Sequence, residues 1–348
     1  MPRCILFAFA LIAAPAFAQP LAPDAGNPPP SPEMPPAQLL AQFHHDEINL
    51  LALRGDAHSL LAAALMAQGD AGDPARPKAL QTPALLARAQ KAGDADALVW
   101  WASAALDCRG KAKSCPREEL LAQLQKTDPA NAGAWLWALH RGQQTGAKTM
   151  ARAALTSAAQ SVRFDDYFGA LTSLLYEASG ILPVGENILS ASSQPGVSPS
   201  GFKLTYAASI AIALPHPYLD ALDAACKNAA DDSGLAQDCV AVAQKLADSG
   251  SLFARSAGAR QIMEIVPSGS VHDAAVAQAR TLAWRMRGIG SVADRLANDS
   301  RVTGLYTQAL RSGGREIDAV DAVLRSQRIG LEPPADWQPP APNATPEP

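Results

Sequence analysis

Between two proline-rich ends, this chain offers helix-forming segments and almost nothing else. Apolar residues recur at helical spacing from Ala37 to Gln327, and no pair of alternating strands joined by a turn occurs. Alanine supplies much of the 48% hydrophobic content, aromatics are only 5%, and β-branched residues are few. Alanine pays no side-chain entropy in a helix, so this composition predicts an all-α fold. The predicted helices are 37–53, 57–67, 82–92, 95–106, 116–126, 129–141, 147–162, 165–179, 202–214, 217–229, 235–248, 252–265, 271–288, 291–310 and 315–327. Prolines and capping residues mark several starts, including Thr82-Pro83, and Pro116 ahead of Glu118-Glu119.

The first eighteen residues have a different design. Arg3 precedes an apolar run from Ile5 to Ala14, and Ala16-Phe17-Ala18 is a small-x-small cleavage site. This pattern predicts a secretory signal peptide over 1–18, cleaved before Gln19, and an exported, periplasmic protein. The longest later apolar run, Leu204 to Leu214, is too short to span a bilayer, so no transmembrane segment is expected after cleavage. Proline lacks a backbone donor and clashes within a helix, so residues 19–36 and 332–348 are expected to be extended and disordered. The Ser-, Pro- and Gly-rich stretch 190–201 is the expected boundary between two helical halves, 37–189 and 202–331.

The first half repeats itself. Gly55-Asp56-Ala57 returns as Gly93-Asp94-Ala95, and the pairs Asp94/Asp128, Trp101/Trp135 and Leu121/Leu155 share one spacing. Asp128-Pro129-Ala130-Asn131, with Trp135 following, resembles the junction between tetratricopeptide repeats. Ala151, Leu155 and Ala158 match that family's second-helix packing positions, and Gly93-Asp94-Ala95-Asp96-Ala97 resembles the opening of a Sel1-like repeat. The glycine that the tetratricopeptide family carries four residues after the tryptophan is Leu139 in one unit and Ala105 in the other. The resemblance covers residues 52–161. It implies a right-handed α-solenoid of stacked helix–turn–helix units, and a role as a protein- or peptide-interaction module in the cell envelope.

Four cysteines remain after cleavage. Cys108 and Cys115 flank a short loop, and Cys226 and Cys239 lie almost symmetrically about Asp231–Gly234. In an oxidising compartment each couple is expected to form a local disulfide. The spacings lack the short knuckle that zinc sites favour, so no metal site is expected. His44-His45-Asp46-Glu47 is read as a solvated helix face, because adjacent helical residues point about 100° apart. His140, His216 and His272 stand alone in sequence. Paired acids such as Asp165-Asp166 and Asp231-Asp232 fall at helix starts, where carboxylates cap free N–H groups. No cofactor motif, catalytic elbow or phosphate loop occurs. An envelope hydrolase on a helical scaffold, with no recognisable catalytic motif, is the alternative reading. The net charge of −4 argues against a nucleic-acid partner.

The tryptophans are the candidate partner-binding residues. Trp101 and Trp135 occupy the repeat's packing position, so they are expected in the core. Trp100 and Trp137 point to other faces of the same helices. One or both are candidates to face the groove and anchor a partner, the alternative being burial against the neighbouring repeat.

Overall fold

The computed structural model describes residues 34–69, 76–109, 114–192, 194, 196–229 and 232–339. The signal segment 1–18 and the proline-rich residues 19–33 lie outside them, as do residues 340–348. Among the described residues there are α-helices, one 3-10 turn and a single isolated bridge, Asn131 with Arg163, so the fold is all-α.

Helix α2 (Ala57–Gly69) explains how the chain is centred. Its run Leu60 to Met66 has no polar face, and every residue in it is at most 2% exposed. A helix that is apolar all round must be covered on every side. Here α1 (Pro36–Arg54) and α3 (Thr82–Lys91) flank it, followed by α4 (Ala97–Asp107). Two later helices, α8 (Phe168–Ala178) and α10 (Pro199–Ile212), close over it. Between them the chain forms α5 (Glu118–Thr127), α6 (Ala132–Gln144), α7 (Lys148–Gln160) and the short α9 (Glu186–Ala191).

Neighbours in sequence pack as antiparallel couples: α2 with α3, α4 with α5, and α6 with α7. The repeated Gly-Asp-Ala stretches meet where these couples stack. The Asp94 carboxylate accepts the Ala57 N–H at 3.1 Å, and His58 Nε2 lies 3.0 Å from Asp96 Oδ2. Further along, Asn131 Nδ2 donates to the Asp165 carbonyl at 2.9 Å, and Arg163 pairs with Asp128 at 2.9 Å. Polar stitches thus join the starts of α2 and α4, and the start of α6 to the segment that leads into α8.

The second half comprises α11 (Pro217–Cys226), α12 (Ser233–Ala247), α13 (Leu252–Ile265), α14 (Ser270–Ser291), α15 (Ala293–Asn298), α16 (Ser300–Gly313) and α17 (Glu316–Ser326). It does not form a separate domain. α11 lies on α6, α12 on α7, and α16 on both α8 and α10. One apolar core runs from Ile48 to Ala254, and a smaller cluster joins Phe43 of α1 to Ile188, Val197 and Phe202 around the expected boundary 190–201. That boundary is therefore corrected: its Ser/Pro/Gly composition supplies a turn inside a shared core. Ser198 caps α10 there by accepting the Gly201 N–H at 3.0 Å.

Three further expectations change. The helix expected over 291–310 is two helices, because Asp299 breaks it and caps α16 through the Arg301 N–H at 2.9 Å. Thr82 is the first residue of α3 and not its cap; its hydroxyl donates instead to the Ala64 carbonyl at 3.0 Å. The tail expected to be disordered from 332 is held on α14 as far as Trp337. Arg280 Nε donates to the Trp337 carbonyl at 2.8 Å, and the Trp284 and Trp337 rings meet edge to face at 5.3 Å. Proline forbids helix there, but an extended strap whose carbonyls meet arginine donors is still ordered.

Candidate functional sites: an outward cleft, a closed aromatic cluster and a cysteine–histidine group

The four tryptophans divide differently from the expectation. Trp101 is 2% exposed and Trp137 fully buried, whereas Trp100 and Trp135 are only partly buried. Trp137 does point away from Trp135, as helical geometry requires. Its face is occupied, however, by the chain's own α11. Tyr218 packs against the rings of both Trp101 (5.5 Å) and Trp137 (5.0 Å), which themselves meet edge to face at 5.9 Å. Tyr167 lies 5.5 Å from Trp101 on another side. Trp137 is therefore a core residue and is corrected as a partner-binding candidate. Trp100 packs against the main core and lines none of the cavities described below.

Trp135 faces outward instead. Its indole Nε1 donates to the Pro129 carbonyl at 3.1 Å, which fixes the ring at the start of α6. It borders a cleft of about 420 Å³ between α5, α6 and α7, with Leu121, Ala138, Met150 and Ala154 as apolar wall. Met150 is 41% exposed. Arg141 and Glu118, 3.9 Å apart, form the charged edge of the cleft, and Arg141 is tied down by its bond to the Pro116 carbonyl at 2.9 Å. The cleft continues into a shallower depression along Gly146 to Ala153. A second cleft, of about 350 Å³, lies between α12, α13 and α14, lined by Asp248, Ile262 and Gln278 among others.

Both expected disulfides form. Cys108 and Cys115 are joined with Cα atoms 5.0 Å apart, and Cys226 and Cys239, across the α11–α12 turn, with Cα atoms 5.9 Å apart. Cys226 and Cys239 are buried, whereas Cys108 is partly exposed. His140, alone in sequence, lies beside the first pair, with Nε2 at 3.6 Å from Cys115 Sγ. Burial lowers the His140 pKa, against the opposing charge of Asp220. Sequence spacing hid this meeting because α6 brings His140 back to the loop after α4.

Acidic groups converge at the starts of α8, α13 and α17. Asp166 is buried, and Asp165 and Asp166 accept the N–H groups of Tyr167 (2.8 Å) and Phe168 (3.1 Å). Glu316 accepts the Leu252 N–H at 2.8 Å, and Asp232 caps α12 through Gly234 at 3.0 Å. Asp231 lies outside the described residues. Burial raises the pKa of Asp165 and Asp166, and pushes Glu316 up to about 7. Desolvation alone lowers nearby His216 to about 4. Tyr167 has φ 56°, an uncommon left-handed conformation for a bulky residue. It is held by its hydroxyl, which donates to Asp128. Asp232 is the helix cap expected of the paired acids, whereas Asp165 and Asp166 accept backbone N–H groups just ahead of α8, whose N-cap residue is Tyr167.

The expected solvated face at His44–Glu47 is also corrected. Glu47 is fully buried, 2.9 Å from His44 Nδ1, and burial raises its pKa. The His44 ring stacks on Tyr206 at 4.3 Å, so α10 covers this face. Among the described residues, Cys108, Cys115 and His140 are the one trio of metal-capable side chains that converges. No helix among them is long and apolar enough to cross a membrane. Compared with protein-family models, with curated proteins and with solved structures, the chain has no match.

Proposed function

We propose that this is an exported helical-repeat protein of the cell envelope that binds a protein or peptide segment in the cleft between α5, α6 and α7. Export rests on the N-terminal pattern of Arg3, the apolar run and Ala16-Phe17-Ala18, together with two disulfides that need an oxidising compartment to persist. The three couples α2–α3, α4–α5 and α6–α7 are read as consecutive units of a right-handed α-solenoid, with α11 and α12 filling the face that such repeats commonly leave open. The binding surface then moves to the outside of the last couple.

The observation that carries the reading is the exposed apolar wall around Trp135 and Met150. Aromatic residues that are fixed in place, with polar groups at the rim, are the usual anchors of interfaces. A cleft with an apolar wall and Arg141 at its edge suits an apolar side chain followed by an acidic group. Peptides selected from a display library on the folded protein test this. The expected result is apolar–acidic sequences whose affinity drops at least about tenfold with Trp135→Ala, a loss of about 1.4 kcal/mol. Selected peptides that bind Trp135→Ala as tightly as the wild type would place the binding surface elsewhere.

A further inference from the structure

We propose that Cys108, Cys115 and His140 form a binding site for a thiophilic cation of zinc's class, closed while the cysteines are joined and opened when an external dithiol reduces them. The inference does not depend on the peptide-binding reading.

The first argument is geometric. Around a tetrahedral ion with metal–sulfur bonds of about 2.3 Å and metal–nitrogen bonds of about 2.0–2.1 Å, sulfur and nitrogen sit about 3.6 Å apart. Cys115 Sγ and His140 Nε2 are 3.6 Å apart. The donor atoms of all three residues fall within 4.8 Å of one another, and no other such trio occurs among the described residues.

The second argument concerns the lone pair. The Gln144 side-chain oxygen accepts the Cys115 N–H at 2.9 Å, which fixes which end of that amide is the donor. Its nitrogen therefore donates to His140 Nε2, at 2.8 Å. An Nε2 that accepts carries no proton, so the imidazole holds its proton on Nδ1, and a metal has only to displace the Gln144 amide N–H to take the Nε2 lone pair. This is the tautomer a metal needs.

The third is access. Cys108 is partly exposed beside the exposed Arg109, although its partner Cys115 is only 3% exposed, while both Cys226 and Cys239 are buried, at 4% and 0%. A reductant reaches the first pair far more readily than the second. The dithiol gives up two electrons and becomes a disulfide. The Cys108–Cys115 bond breaks, and each sulfur takes one proton. The cation then displaces both protons, forming two metal–sulfur bonds, and the Nε2 lone pair makes a third bond. Water fills the fourth position, toward the exposed side.

Cobalt(II) is the probe, added anaerobically to the whole folded protein before and after dithiol treatment, then displaced with Zn²⁺. The reduced protein should take up one equivalent and develop a thiolate-to-cobalt band in the near ultraviolet; the oxidised protein should show none. Replacing both Cys226 and Cys239 by serine should leave the band unchanged. His140→Ala should weaken binding by more than about 100-fold, beyond the loss typical of outer partners. Gln144→Glu should tighten it, because a carboxylate then stands where the amide donor was. Reduced protein without the band, a band that survives Cys108→Ser, or a folded His140→Ala that binds as tightly as the wild type would overturn the proposal. Should His140→Ala fail to fold, Gln144→Glu decides: unchanged affinity there overturns it equally.

Discussion

Replacing Trp137 by alanine should cost this protein more stability than replacing Trp135. Trp137 is fully buried, ringed by Trp101, Tyr218 and the His140 edge at 6.3 Å. A buried tryptophan withdraws about 150–250 Å² from water, and large-to-small changes at such sites cost about 3–5 kcal/mol. One effect works the other way. The Trp137 indole N–H has no hydrogen-bond partner, and removing an unsatisfied buried donor returns about 1–3 kcal/mol. The expected net loss is therefore about 2 kcal/mol. Trp135 is partly exposed and holds one bond, to the Pro129 carbonyl, so its removal should cost about 1 kcal/mol. Urea unfolding of the two variants at constant m-value measures the difference directly. Equal losses, or a larger one for Trp135→Ala, would refute the view that α11 seals the Trp137 face.

Other consequences can be measured as readily. Gly201→Ala places a Cβ on the carbonyl oxygen of Ala297, a backbone atom that cannot rotate away. It should destabilise the fold by about 3 kcal/mol in the same assay, and a neutral result would contradict the close packing of α10 on α15. Replacing Cys226 and Cys239 together by serine opens a loop closed over 13 residues. It should cost about 2–3 kcal/mol, read as a lower melting temperature before any reductant is added. Glu316 has its pKa raised to about 7 by burial, so the folded state holds its proton where the unfolded chain has already released it. Its effect on stability is therefore favourable at low pH and is lost as pH rises from the ordinary carboxylate range through about 7. Glu316→Gln should flatten that fall; an unchanged pH profile would show that the carboxylate is not desolvated.

Helix existence was legible because alanine content, caps and apolar spacing agree locally; the helix Leu252–Ile265 was expected with its exact bounds. The capping carboxylates and both disulfides were legible for the same reason, since each joins residues close in sequence. What failed were statements about which surface covers which. Trp135 and Trp137 do point to opposite sides, but nothing local to α6 says that α11 comes to lie on the second of them. His44 and Glu47 read as a polar face until α10 supplies Tyr206. His140 sits 25 residues from Cys115, beyond the reach of any spacing rule. The tail 332–337 illustrates a different limit. Its prolines exclude helix, yet order comes from Arg280 and Trp284 of α14, which its own sequence does not mention.

The central claim is that binding takes place on the outer cleft while the inner tryptophan face stays closed by the chain itself. Hydrogen exchange on the wild-type protein, with and without a selected peptide, tests it most directly. Protection should appear over Trp135–Ser157, where α6 and α7 line the cleft, with no change at Pro217–Cys226. Exchange that alters in Pro217–Cys226 on binding, as α11 gives way and the peptide takes the place of Tyr218, would contradict the account.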